Sequence, residues 1–294
     1  RLVPLGQEVM VLPAHGAGSA CGHAIGKREI TTIGLEVRDN HALQLSRMDF
    51  IMSKMSEGME KPPYFERMEA LNLHGPIILG DIPRPGPLSP RQLKEEQEGG
   101  ALVLDVREPH SYVAAHVPRS QNVWLEGIPV FGGYLIPYGR PLVIMADRLE
   151  EVEVAVRYLI RVGYEDVIGY AKGGMGPWIM NGMPISTIPA RTAQEVWSRQ
   201  QAGDPLLLVD LRDRREMEDG VIPGSMSLHL GKLMERSSEL PVDKELVLFC
   251  GSGPRGGAGA SLLRNSGIGN VSMMLGGFAA WKRGGLPVVP LRTG

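Results

Sequence analysis

The chain has only two cysteines in 294 residues, Cys21 and Cys250. That is too few for a disulfide framework, and it points to a reducing, cytoplasmic setting. An excess of charge of one sign is also missing. Lys and Arg number 31 against 33 Asp and Glu, a net charge of -2, which gives no electrostatic reason to expect nucleic acid or a membrane surface as partner. No apolar run approaches the roughly 18 residues that a membrane-spanning helix requires. The longest, residues 142–146 and 206–209, are strand-sized. A basic-then-apolar leader is not visible, and residue 1 is Arg. The chain reads as a piece of something longer.

Apolar residues make up 43% and charged residues 22%, an ordinary globular balance with room for two domains or three small ones. Residues 1–78 form one compositional unit. Glu8–Leu12 reads as a strand running into a small-residue loop from Pro13 to Gly22. Ser46 and Asp49 match a capping box ahead of a helix, and Pro63 precedes another with Phe65, Met68 and Leu71 on one face and Gly75 at its end. So few elements bury little core by themselves. Residues 79–88, with Pro83, Pro85 and Pro87, read as a semi-rigid linker.

From Ser89 the chain repeats itself, as residues 89–188 and 189–294. Each half opens with a helix cap, Ser89 with Gln92 and Thr192 with Glu195. Each has an apolar strand ending in Asp-x-Arg (Asp105 and Arg107, Asp210 and Arg212), then a second strand leading to Ala146 or Cys250. Each closes with Gly-Gly, Trp178 or Trp281, and Gly-x-Pro. Short strands alternating with helices predict an α/β fold, two tandem domains with open parallel sheets.

The second repeat holds the segment with clear chemical meaning, Cys250-Gly251-Ser252-Gly253-Pro254-Arg255-Gly256. It lies between a buried strand and a helix, where ligands of open α/β sheets bind. Its glycines allow backbone N–H groups to converge on one spot. The helix N-terminus and Arg255 add positive charge there. All three favour negative charge on the sulfur, or an anionic sulfur compound beside it. A lone cysteine after a strand is ordinarily a small buried apolar residue. The Gly-Ser-Gly-Pro-Arg loop argues against that here.

Asp210-Leu-Arg212, Gly220-Val-Ile-Pro-Gly-Ser225, the Cys250-to-Arg255 loop, Gly276-Gly-Phe-Ala-Ala-Trp281 and Gly285-Leu-Pro287 together resemble a rhodanese homology domain. The resemblance implies a sulfurtransferase. Cys250 would take sulfane sulfur from thiosulfate or a low-molecular-weight persulfide and pass it to cyanide or a glutathione-like thiol. It also implies a cradle of backbone amides from Gly251 to Arg255, with Arg255 supporting the loop or binding the donor, and Asp210 and Arg212 in support. Val221 stands where the family often has His, Pro254 removes one backbone donor, and Gly251 stands where many thiosulfate-using members have a basic residue. Cysteine phosphatases and arsenate reductases carry a related loop that is one residue longer between Cys and Arg. The shorter loop here suits one sulfur atom. A sulfur-sensing or scaffold module without turnover is the other alternative.

Aligned on the second repeat, the first has Ala146 for Cys250 and Glu151 for Arg255. It therefore resembles an inactive rhodanese domain, with Asp147 expected as a helix N-cap. In the N-terminal unit, Val-Leu-Pro-Ala-His15-Gly16, with Cys21-Gly22, Thr32-Ile-Gly34 and Asn40, resembles the C-terminal part of a metallo-β-lactamase-fold hydrolase of the glyoxalase II-like or persulfide dioxygenase-like kind. That resemblance implies that His15 faces a metal centre, Zn or Fe, in an intact parent protein. The family's main metal-binding run is absent, and His23, His41 and His74 do not reproduce its spacing. No cofactor and no metal chemistry are expected of this chain alone, and Cys21 is expected to be structural. The expected partners are small sulfur donors and thiols, with no nucleic acid and no membrane, and a homodimer is compatible with the reading.

Overall fold

The computed structural model describes residues 1–14, 28–56, 62–75, 78 and 80–291. It divides into two compact units, Arg1–Lys61 and Pro62–Gly294. In the first, strands β1 (Met10–Val11) and β2 (Thr31–Thr32) pair antiparallel. The helices α1 (Ile33–Asp39), α2 (His41–Gln44) and α3 (Arg47–Ser56) follow. The expected strand at Glu8–Leu12 shortens to two residues. Thr32 Oγ1 caps α1 by accepting from Leu35 N at 3.2 Å. The expected cap at Ser46 is present, its Oγ accepting from Asp49 N at 3.1 Å. Thr31 and Ile33 are the buried residues among those described in this unit, so little core forms there. His15, Cys21 and His23 lie outside the described residues.

The second unit begins with α4 (Tyr64–His74). The sequence groups this helix with residues 1–78, but its packing partners lie in the first repeat. Tyr64 is buried against Gly133, where an added Cβ would meet its ring at 2.4 Å. Arg67 Nε donates to Gly163 O at 3.0 Å. Neither partner leaves a trace in the local pattern.

Chain order in the first repeat is β3 (Gly86–Leu88), α5 (Pro90–Glu98), β4 (Leu102–Asp105), α6 (Pro109–Ala114), β5 (Gln121–Asn122), α7 (Ile128–Leu135), β6 (Leu142–Met145), α8 (Leu149–Arg161), β7 (Val167–Ala171) and α9 (Met175–Met180). The second repeat runs β8 (Ala190–Arg191), α10 (Ala193–Gln201), β9 (Leu206–Asp210), β10 (Met226–Ser227), β11 (Glu245–Phe249), α11 (Pro254–Asn265), β12 (Val271–Met274) and α12 (Gly277–Arg283). The sheet orders are β3-β7-β6-β4-β5 and β8-β12-β11-β9-β10, the same topology twice. Every pairing in both is parallel. Gly86–Leu88, expected in the linker, form the edge strand β3 of the first sheet.

Parallel strands covered on both faces read as continuous apolar runs, and alternate residues separate into different cores. Val103, Val143 and Met145 face α5 and α9, with Leu93 and Trp178. Leu208, Val247 and Phe249 face α10 and α12, with Val196 and Trp281. The other faces, Leu102, Leu104 and Ile144 of one sheet and Val209, Leu246 and Leu248 of the other, belong to one cluster that runs through both repeats. Its polar seam joins α11 to β5. Gln121 Nε2 and Asn122 N donate to Ser261 Oγ at 2.7 and 3.1 Å, and Asn265 Nδ2 donates to Ser120 O at 3.0 Å. Among the described residues, no helix is long and apolar enough to cross a membrane.

Candidate active site

Cys250 follows the central strand β11 at its carboxyl end and is 1% exposed. A neighbouring helix shapes its loop. The Cys250 carbonyl accepts from Phe278 N at 2.7 Å, and the Gly251 carbonyl accepts from Ala279 N at 2.9 Å, so the first turn of α12 ties the loop down. Gly277 makes this approach feasible. Its φ is +54°, and a Cβ there would fall 2.1 Å from Cys250 O. Gly253, with φ +126°, turns its N–H toward the sulfur, donating to Cys250 Sγ at 3.2 Å. The helix that follows begins at Pro254. Proline suits that first helical position, where its missing N–H has no helical acceptor. Arg255 therefore stands in the first turn of α11. Gly256 keeps the turn close to β11, since a Cβ there would lie 3.0 Å from Leu248 O. Ser252 is exposed.

The Arg255 fork is engaged end-on by Glu216, with Nη1–Oε2 at 2.5 Å and Nη2–Oε1 at 2.6 Å. Burial opposes the Arg255 charge. The Glu216 hydrogen bond, the charges of Cys250 and Glu216 and a side-chain hydrogen bond to Cys250 outweigh it and raise its pKa above the usual guanidinium range. Burial likewise works against the Glu216 carboxylate, but the Arg255 hydrogen bond and charge hold it below the usual range. A buried pair fixes where Glu216 stands. Arg212 Nη2 donates to Asp210 Oδ2 at 2.7 Å and to Gly220 O at 2.9 Å, while its Nη1 donates to Glu216 O at 3.0 Å. The Arg212 guanidinium also lies 3.9 Å from the Phe278 ring centroid. Asp210 and Arg212 thus brace the turn bearing Glu216 against the helix that holds the cysteine loop.

The structure brings together Cys250, the 251–256 loop and, one shell outward, Asp210 and Arg212. Glu216 is the residue that sequence reasoning missed. Its signal lay in the internal repeat, because the position of Glu216 is occupied by Ser111 in the first repeat and that of Arg255 by Glu151. The carboxylate, the guanidinium and the cysteine differ together.

The first repeat keeps the scaffold without the cysteine. Trp178 Nε1 donates to Pro184 O and Trp281 Nε1 to Pro287 O, both at 2.8 Å. Gly174 approaches Ala146 O as Gly277 approaches Cys250 O, at 2.7 Å for an added Cβ. Its loop, however, is filled from within. Glu151 Oε2 accepts from Asp147 N at 3.1 Å and Arg148 N at 3.2 Å, while Oε1 accepts from Arg148 Nε at 2.9 Å. This corrects the expectation for Asp147. The N-cap is Arg148, and Asp147 contributes its N–H to the Glu151 carboxylate. Among the described residues no group of three His, Cys, Asp or Glu side chains is placed to hold a metal ion.

Comparison with known proteins agrees with the repeated architecture. The family model described as rhodanese-like domain matches residues 89–181 and again 192–284. A sulfurtransferase of Allochromatium vinosum is 38% identical over 86 residues, covering 29% of this chain and 80% of that protein. The thiosulfate sulfurtransferase GlpE of Pseudomonas fluorescens is 32% identical over 107 residues, covering 36% of this chain and 91% of that one. The crystal structure of a thiosulfate sulfurtransferase from Pseudomonas aeruginosa is 22% identical, covering 71% of this chain and 44% of that chain, with a TM-score of 0.34. The two matched spans coincide with the two parallel-sheet repeats, and the chain belongs to the rhodanese-like domain family.

Proposed function

We propose that the second repeat is a sulfurtransferase that carries sulfane sulfur as a persulfide on Cys250. The observation that carries this reading is the Gly253 N–H aimed at Sγ at 3.2 Å, in a loop whose next helical turn bears Arg255. Cys250 is buried, as a small apolar core residue would be. A core thiol, though, needs neither a glycine at φ +126° directing an N–H at its sulfur nor an adjoining guanidinium. Relatives named as sulfurtransferases support the same reading.

The reaction is two successive displacements. The Cys250 thiolate attacks the outer sulfur of the donor R–S–SH. A bond forms from Sγ to that sulfur, the donor S–S bond breaks, and R–S⁻ leaves. An acceptor thiolate or cyanide then attacks the outer sulfur of Cys250–S–SH and regenerates the thiolate. No electrons are gained or lost overall. The Gly253 N–H is placed to donate to the sulfur at the start and end of each cycle.

Four residues separate Cys250 from Arg255, which leaves room for one sulfur rather than a phosphoryl group. The test is an assay of the whole chain with thiosulfate or glutathione persulfide as donor and cyanide or glutathione as acceptor, alongside an aryl phosphate. Turnover that is lost in Cys250→Ser supports sulfur transfer. Hydrolysis of the aryl phosphate without sulfur transfer would overturn it, and sulfur uptake without turnover would favour a sensor.

For the N-terminal unit, our reading is the C-terminal segment of a metallo-β-lactamase-fold hydrolase, whose intact parent would hold Zn or Fe. The described residues do not supply a ligand set for that metal, and no step of the reaction involves it.

A further inference from the structure

The guanidinium beside the sulfur is already neutralised. Arg255 gives both arms of its fork to Glu216. The neighbouring Arg212 is buried and committed to Asp210. Glu216 is itself held in place, with Asp213 N donating to Oε2 at 3.0 Å and its carbonyl accepting from Arg212. It reaches the loop as well, since Oε1 lies 3.3 Å from where a Gly251 Cβ would stand. A donor approaching Cys250 therefore meets a carboxylate clamped across the cation that would otherwise receive it.

We propose that Glu216 sets the donor class, disfavouring dianionic thiosulfate and favouring persulfides that bring at most one negative charge to the reacting end. This rests on the sulfur-transfer reading of Cys250. Thiosulfate gives its outer sulfur to the Cys250 thiolate and releases sulfite as a dianion, so two charges must be accommodated before and after the S–S bond breaks. To bind them, the largely buried Arg255 would have to release Glu216 and give up both charge-assisted hydrogen bonds of the pair, which is unfavourable. A persulfide releases a single thiolate charge and leaves the Glu216–Arg255 pair intact. The clamp belongs to the sulfur site and not to the fold in general. The first repeat has the same topology but Ser111 and Glu151 at these two positions and no cysteine.

The test is kcat/KM for thiosulfate and for 2-mercaptoethanol persulfide, measured on the full chain and on Glu216→Gln, which keeps the side-chain shape and removes the charge. The ratio of thiosulfate to persulfide is expected to rise about tenfold in the variant, as for one charge removed a few ångströms from the reacting atoms. An unchanged ratio, with both donors slowed equally, would show that Glu216 only supports the loop. Should Glu216→Gln fail to fold, the ionic-strength dependence of the unmodified chain decides. Net repulsion makes the thiosulfate rate rise with added salt more steeply than the persulfide rate, and a thiosulfate rate that falls with salt overturns the proposal. Failure of both donors to place sulfur on Cys250 would remove the sulfur-transfer reading and this inference with it.

Discussion

Single residues show what the scaffold and the site depend on. Gly277 holds φ +54° with the Cys250 carbonyl where a Cβ would stand. Gly277→Ala is expected to cost at least about 1–2 kcal/mol, from left-handed backbone strain and steric overlap together. It should also loosen the cysteine loop. Gly176, at the start of α9, has nothing within 4 Å of an added Cβ, so Gly176→Ala should be neutral or stabilising by up to about 1 kcal/mol. Thermal denaturation of the two variants compares them directly. His116 is the second case. Burial pushes its pKa down to about 4, against a hydrogen bond from its ring to Tyr112 O, and it stacks on Tyr112 at 4.0 Å. The unfolded chain takes up this proton near pH 6.5, the folded chain only near pH 4. Stability is therefore full above about pH 6.5 and falls as pH drops through that window. His116→Asn should flatten the decline of Tm between pH 7 and pH 5, and an equally steep decline would contradict the assignment.

At the scale of elements, α11 has two tasks. It carries Arg255 in its first turn and it packs on β5 and α6 of the first repeat. The Ser261 hydroxyl receives two donors from Gln121 and Asn122. Gly257 allows close approach to Pro109, where an added Cβ would meet the ring at 2.5 Å. Ser261→Ala leaves both donors buried without this acceptor and is expected to cost about 1–3 kcal/mol, measurable as a lower denaturant midpoint. An unchanged midpoint would show that the seam contributes little. Much of this element structure was legible in the sequence. The caps at Ser89 and Thr192, the strands ending at Asp105 and Asp210, and the paired tryptophans all follow local patterns. The seam was not legible, because Gln121 and Ser261 are 140 residues apart and each is an ordinary polar residue in its own segment. The same holds for α4, whose Tyr64 and Arg67 find partners in the first repeat that no periodicity announces. The Glu216–Arg255 pair, separated by 39 residues, left its trace only when one repeat was compared with the other.

Across the whole second unit, two copies of one topology share a single apolar cluster, and the end of the central strand carries Cys250 in one copy and Ala146 in the other. The first copy has closed its own loop with Glu151, while the second keeps a cysteine in a loop that leads into the Glu216-paired Arg255. The tandem architecture and the place of the Cys250 loop between a strand and a helix could be read from the sequence because repetition and a glycine-rich loop are local signals. The electrostatic state of the site could not, because it depends on which carboxylate the fold brings to Arg255. The central claim is that sulfur rides on Cys250. The direct measurement is the mass of the intact chain and of its proteolytic peptides after incubation with a persulfide donor and removal of the excess, for the natural sequence, Cys250→Ser and Cys21→Ser. A single added sulfur on the Cys250 peptide, retained in Cys21→Ser and lost in Cys250→Ser, is the predicted result. Sulfur on the Cys21 peptide alone, or on neither cysteine, would contradict the account.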